Sequence, residues 1–204
     1  MLIIGLTGSI GMGKSTAAAR FRERGIAVFD ADAAVHALYE GPLAAEINAA
    51  FPSTASDGKV DRIKLSAALL AAPHRFKEIE AIVHPKVRAM QRRFLNAEAQ
   101  RGAKRAVLEI PLLFEGGGEQ AVDVTVVVSA GLNAQRARVL QRPGMTAAKL
   151  DALLGRQMPD AEKRRHADFV VDTNGPAAAC DAQVDAIVLK LADRTGTAFE
   201  RHWR

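Results

Sequence analysis

Eight residues near the amino terminus, Gly8-Ser9-Ile10-Gly11-Met12-Gly13-Lys14-Ser15, match the pattern G-x-x-x-x-G-K-[ST]. Glycines in such a run let backbone N–H groups turn inward around phosphate oxygens, and the positive end of a following helix adds attraction for the anion. The run sits directly after the apolar segment Leu2 to Leu6. It is followed by Ser15 to Arg24, where Ala, Phe and Arg recur at helical spacing, so it occupies a strand-to-helix junction. Gly8, Gly11, Met12 and Gly13 are therefore expected to wrap a triphosphate, with Lys14 reaching the β- and γ-phosphates. Ser15 is the expected magnesium ligand, and Thr16 supplies a hydroxyl nearby. A merely structural glycine turn is the competing reading. A chance match to the four fixed positions is rare, and the strand-loop-helix context makes it rarer.

A triphosphate site does not by itself define a reaction. No N-K-x-D element for reading guanine and no L-S-G-G-Q signature occurs, which argues against switch GTPases and ABC-type ATPases. A small kinase passing the γ-phosphoryl group to a second small molecule is what remains. Phe29-Asp30-Ala31-Asp32 ends a second apolar run, and ligands of open α/β sheets gather beyond the carboxyl ends of the strands. Asp32 is the candidate to orient or deprotonate an attacking hydroxyl, with Asp30 capping the next helix or fixing the loop. A capping role for both carboxylates is the alternative. Arg136, Arg138 and Arg142 lie on or just after one helical stretch, and Arg142-Pro143-Gly144 reads as a hinge for a lid. An arginine brought to the γ-phosphate by closure would offset transition-state charge, whereas a solvated basic helix face is the simpler reading.

Five histidines (His36, His74, His84, His166 and His202) show no metal-ligand spacing. His84-Pro85 reads as the start of a helix, with the histidine capping it or lying in the core. Cys180 is the only cysteine, which rules out an intramolecular disulfide and suggests a buried, inert thiol in a reducing cytoplasm. The net charge of +5, from 28 basic and 23 acidic residues, admits anionic partners. Aromatic residues, 5% of the chain, do not interleave with the basic stretches, so nucleic acid is not an expected partner. Neither is a membrane, because no apolar run approaches the ~20 residues of a spanning helix, and no secretion signal is visible.

The elements that must position these residues follow from the pattern of short apolar runs. Strands are expected at Leu2 to Leu6, Ile26 to Phe29, Ala106 to Ile110, Val122 to Val128 and Phe169 to Val171, separated by helical segments. That alternation predicts an α/β fold, a five-stranded parallel sheet flanked by helices. Residues 33–104 contain no convincing strand and read as a helical insertion, built around Arg62 to Ala72 and Arg75 to Gln100, with breaks near Pro52 to Gly58 and at Pro73 and Pro85. The expected organisation is a nucleotide-binding core of residues 1–32 and 105–193, including a lid at about 138–166. A closing helix at Ala177 to Asp193 precedes a loose tail, residues 194–204.

With these residues in view, the chain resembles the dephospho-CoA kinase family of P-loop kinases from Leu2 to about Leu191. The resemblance is carried, in order, by Gly5-Leu6-Thr7-Gly8 through Thr16, Val28-Phe29-Asp30-Ala31-Asp32, Ile82-Val83-His84-Pro85 and Ile110-Pro111-Leu112-Leu113-Phe114-Glu115. Gln141-Arg142, Arg156-Gln157 and Ala167-Asp168 through Gly175 complete it. It implies a nucleoside-monophosphate-kinase-like fold with an acceptor-binding helical insertion and a lid. It also implies transfer of the γ-phosphoryl group of ATP to the ribose 3′-hydroxyl of dephospho-CoA, with Mg2+ as cofactor and the chain a monomer or weak homo-oligomer.

By the same resemblance Asp32, Lys14 and Arg142 are catalytic, Arg142 in the lid, and Asn174 joins the loop residues at ATP. Thr7, Asp32, His84, Arg88, Pro111, Leu112 and Glu115 hold the acceptor, and Lys163 adds a second lid contact to ATP. The sequence departs from the family at Pro143, where an acidic residue commonly follows the lid arginine. The alternatives are another small-molecule kinase with the same loop, of shikimate or nucleoside-monophosphate type, and a nucleotide-binding regulator. The long helical insertion argues against a very small acceptor.

Overall fold

The computed structural model describes all 204 residues. Five strands form one parallel sheet: β1 (Leu2–Thr7), β2 (Ala27–Asp30), β5 (Arg105–Glu109), β6 (Val124–Ser129) and β7 (Phe169–Asp172), in the order β2-β5-β1-β6-β7. The central strand β1 is buried along its whole length, as near-continuous apolar sequence requires when both faces of a parallel sheet are covered. Its register runs from Leu2 opposite Arg105 to Leu6 opposite Glu109 on one side, and from Ile4 opposite Val124 to Thr7 opposite Val127 on the other. Thr7, Glu109, Ser129 and Asp172 thus mark one edge of the sheet, the edge at which the strands end.

On one face, Leu2, Ile4, Leu6, Val107, Val124, Val126 and Val128 meet Ala17, Ala18 and Phe21 of helix α1 (Lys14–Glu23) in a single apolar cluster. Val184 and Ile187 of helix α9 (Ala177–Lys190) complete it. Each fully buried Val, Leu, Ile or Phe contributes roughly 1.5–3 kcal/mol. Helices α6 (Leu132–Leu140), α7 (Ala147–Leu154) and α8 (Asp160–His166) fill the crossover between β6 and β7. No helix is long and apolar enough to cross a membrane.

The chain divides into two compact units, Met1–Phe29 with Phe94–Arg204, and Asp30–Arg93. The second contains α2 (Ala31–Tyr39), α3 (Ala44–Ala50), α4 (Arg62–Ala71) and most of α5 (Phe76–Gln100). Two readings of this stretch need correction. A hairpin of β3 (Ala55–Ser56) and β4 (Lys59–Val60) stands where only a break was expected. Its turn, Asp57-Gly58, has φ of 51° and 74°, the pair of positive values a two-residue hairpin loop needs. Pro85 neither breaks nor starts a helix but lies inside α5. Buried Ile79, Val83 and Val87 continue at four-residue intervals straight through it, and Pro85 itself is on the exposed side, where water can satisfy the carbonyl it leaves free.

The last residues are not loose either. Phe199–Trp203 forms a π-helical turn with Phe199 and Trp203 buried, and the Trp203 indole N–H donates to the Ala121 carbonyl at 2.7 Å. Asp123 fixes the approach, accepting the Thr197 and Ala198 N–H groups on one oxygen and the Ile3 N–H on the other. Trp203→Ala is expected to destabilise the protein by about 3–5 kcal/mol. A fall in thermal midpoint measures that loss; an unchanged midpoint would mean that the tail contributes nothing.

Candidate active site

The loop between β1 and α1 is shaped by close approaches that only glycine allows. A Cβ on Gly8 would lie 2.5 Å from a Val128 methyl group, and one on Gly11 2.4 Å from a Val139 methyl group. Gly11 and Gly13 also have φ of 77° and 89°, the left-handed region where a side chain is strained. α1 begins at Lys14 with no side-chain cap, so N–H groups of its first turn face out of the helix end. Ser15 and Thr16 follow, both exposed. Gly11→Ala should cost about 1–3 kcal/mol from backbone strain, before the clash with Val139 is added. A thermal-shift assay with and without ATP would show a lower midpoint and a smaller ATP-induced rise; wild-type behaviour would remove Gly11 from the cradle.

Side chains from distant positions hold the loop from outside. Buried Thr173 donates its hydroxyl to the Met12 carbonyl at 2.7 Å, with the Ser129 carbonyl 3.2 Å away. Ile10 is gripped at both polar groups: its N–H donates to Gln157 Oε1 at 3.1 Å and its carbonyl accepts from Gln135 Nε2 at 2.8 Å. Arg138 donates to the Thr173 carbonyl at 2.6 Å and reaches the Gly11 carbonyl at 3.5 Å. It therefore braces the loop and is not a free lid charge. Thr173 and Gln135 escape sequence reasoning because their role is read only from their partners.

Beside the loop lies a cavity of about 300 Å³ lined by Gly13, Thr16, Arg138, Thr173, Gly175, Ala177 and Cys180. Cys180 is a buried free thiol, pushed up in pKa by burial and then by the Asp181 charge. Asn174 stands at the same strand end, its side-chain oxygen accepting the Gly131 N–H and its amide donating to Asp172. Arg142 is exposed just past α6, and the Met145 N–H donates to its carbonyl across Pro143-Gly144. Gly144 has φ of 72°, so Pro143 occupies a position of this tight turn that suits its fixed φ.

On the other side of β1, the Thr7 hydroxyl donates to the Pro111 carbonyl at 3.1 Å. Leu112 is 38% exposed and Leu113 is buried. Glu115 lies against Lys163, whose Nζ is 2.8 Å from Glu115 Oε1. Lys163 is fully buried, so its expected contact with ATP is corrected: the charge is already committed within the protein.

In the Asp30–Arg93 unit, Asp30 accepts the Ala33 N–H at 2.9 Å and caps α2. Asp32 is exposed in the first turn of the same helix, two residues past the end of β2. His84 and Arg88 share the exposed surface of α5, one turn apart, so His84 is neither a cap nor a core residue. No cluster of three or more His, Cys, Asp or Glu side chains that could hold a metal ion occurs.

The family model for dephospho-CoA kinase matches residues 2–179. A dephospho-CoA kinase of Mesorhizobium japonicum is 52% identical over 197 residues, 97% of this chain and 100% of that one. One from Rhodopseudomonas palustris is 56% identical over 174 residues, 85% of this chain and 87% of that one. Among solved structures, a Thermus thermophilus protein is similar with a TM-score of 0.78 at 38% identity, covering 96% of this chain and 98% of that one. A Campylobacter jejuni dephospho-CoA kinase shares the fold at a TM-score of 0.69 and 24% identity, covering 93% and 96%.

Proposed function

This chain belongs to the dephospho-CoA kinase family, and from that membership we propose that it transfers the γ-phosphoryl group of ATP to the ribose 3′-hydroxyl of dephospho-CoA, giving coenzyme A and ADP. The observation that carries the nucleotide half of the reaction is the loop of Gly8 to Ser15, braced from outside by Thr173, Arg138, Gln135 and Gln157. Such bracing holds N–H groups in place before the anion arrives, so no reorganisation is needed when charge develops in transfer.

Lys14, first residue of α1, is the proposed contact to the β- and γ-phosphates. Arg142 is the proposed lid cation. Asn174 and the cavity lined by Gly175, Ala177 and Cys180 are the proposed base side of ATP. Magnesium fits this loop as a partner of the nucleotide: it binds through few protein ligands and substrate phosphates, and the exposed Ser15 hydroxyl is the protein oxygen that would hold it. When bound, it neutralises phosphate charge.

For the acceptor, Asp32 is the proposed base. The 3′-oxygen gives its proton to the Asp32 carboxylate and forms a bond to the γ-phosphorus, while the bond from that phosphorus to the bridging oxygen breaks and ADP leaves. Two features support Asp32: it follows the carboxyl end of a sheet strand, and Asp30 already takes the cap of α2. Pro111, Leu112 and Glu115 after β5, and His84 and Arg88 on α5, are the proposed acceptor contacts; Thr7, expected among them, has no exposed surface and gives its hydroxyl to the Pro111 carbonyl, so it supports that turn from below. A reducing cytoplasm, in keeping with the single unpaired thiol, is the proposed compartment. An ADP-coupled assay tests the reading: steady turnover with dephospho-CoA and none with shikimate or nucleoside monophosphates is expected, and the reverse pattern would overturn it.

A further inference from the structure

Lys163 is the only basic residue in the buried core, with no exposed surface. An ammonium ion stripped of water is strongly unfavourable unless it is paired and hydrogen-bonded, and a salt bridge kept only for stability could be replaced by apolar side chains of similar volume. What this one holds is therefore informative. Its Nζ is 2.8 Å from Glu115 Oε1 and donates to the Pro111 carbonyl at 3.4 Å, so a single charge grips both ends of the Pro111–Glu115 turn. Both partners have further ties. The Pro111 carbonyl also accepts the Thr7 hydroxyl, one residue before the phosphate loop, and Glu115 Oε1 also accepts the Met158 N–H at 2.7 Å. The preceding residue, Gln157, accepts the Ile10 N–H.

Two consecutive residues between α7 and α8 thus hold the phosphate loop with one and the Pro111–Glu115 turn with the other, and Lys163 on α8 fastens the same turn a second time.

We propose that Lys163 is a positioning residue for the acceptor: through Glu115 and Pro111 it fixes the Pro111–Glu115 turn in register with the end of β1, where dephospho-CoA must be presented to the γ-phosphate. The inference rests on the acceptor role given to that turn above. It predicts an asymmetric effect. Lys163 does not line the cavity beside the loop, and Ile10 keeps its second anchor from Gln135 when the turn is loosened. Nucleotide binding should survive its loss while acceptor binding does not.

The test is steady-state kinetics of Lys163→Met and of the neutral double variant Lys163→Met with Glu115→Gln, alongside the wild type and with thermal midpoints recorded. Misplacing a substrate-positioning segment is expected to raise KM for dephospho-CoA about tenfold or more. KM for ATP should stay within about twofold, since no nucleotide contact is removed. The double variant, free of an unpaired buried charge, should regain much of the lost stability yet keep the raised acceptor KM.

Recovery of both stability and acceptor KM in the double variant would make the pair purely structural and overturn the proposal. So would a rise in ATP KM equal to that for the acceptor. Glu115→Gln is measured alone as the control for its own proposed acceptor contact, so only a rise in acceptor KM that Lys163→Met shows with Glu115 intact, or that the double variant shows beyond Glu115→Gln, supports the proposal. A wild type inactive with dephospho-CoA would instead sink the functional reading, so the two failures are distinguishable.

Discussion

Asp32→Asn is expected to lower kcat by ~10²-fold or more, with ATP affinity held within about twofold, because a positioned base contributes in that range while the amide keeps the shape of the carboxylate. The sequence left open whether Asp30 and Asp32 both serve only as caps. The capping bond to the Ala33 N–H belongs to Asp30, and Asp32 lies exposed within the first helical turn. A carboxylate there helps the helix macrodipole by at most about 1 kcal/mol, too little to explain a hundredfold change in rate. Single-turnover measurement under saturating ATP separates the chemical step from product release. A near-normal rate for Asp32→Asn would remove this side chain from proton transfer.

Lys14→Ala should damage both binding and chemistry, lowering kcat/KM for ATP by ~10²-fold or more, since the ammonium is matched to β- and γ-oxygens whose charge grows in the transition state. The loop itself is expected to survive, because its shape depends on Gly8, Gly11 and Gly13 and on the bonds from Thr173, Gln135 and Gln157. An unchanged thermal midpoint without ATP, coupled with loss of the ATP-induced rise, is the expected signature. Retained activity would mean that the triphosphate is held elsewhere.

The phosphate loop and the sheet were legible because each is written in adjacent residues: glycine positions with a lysine and serine in one case, β-branched runs in the other. The hairpin was legible in principle, since Asp57-Gly58 is a strong turn signal, but its two-residue strands are too short to show alternation. Pro85 taken alone signals a break, but the buried Ile79, Val83 and Val87 face carries the helix across it. Trp203 and Lys163 were beyond local reading. A tryptophan near the end of a basic tail and a lysine in a run of three basic residues look solvated. Only the long-range partners, Ala121 for the tryptophan and Pro111 and Glu115 for the lysine, reveal them as buried. The same holds for Arg138: as one of three arginines on or just after a helical stretch it offers itself as a lid charge, and only the distant Thr173 carbonyl shows that it is claimed within the protein.

The central claim concerns where one phosphoryl group goes, and label transfer reads that directly. Purified protein incubated with γ-labelled ATP, Mg2+ and dephospho-CoA should give coenzyme A carrying the label in a phosphomonoester that a 3′-nucleotidase releases. Label appearing only in inorganic phosphate, or in a product resistant to that enzyme, would contradict the account.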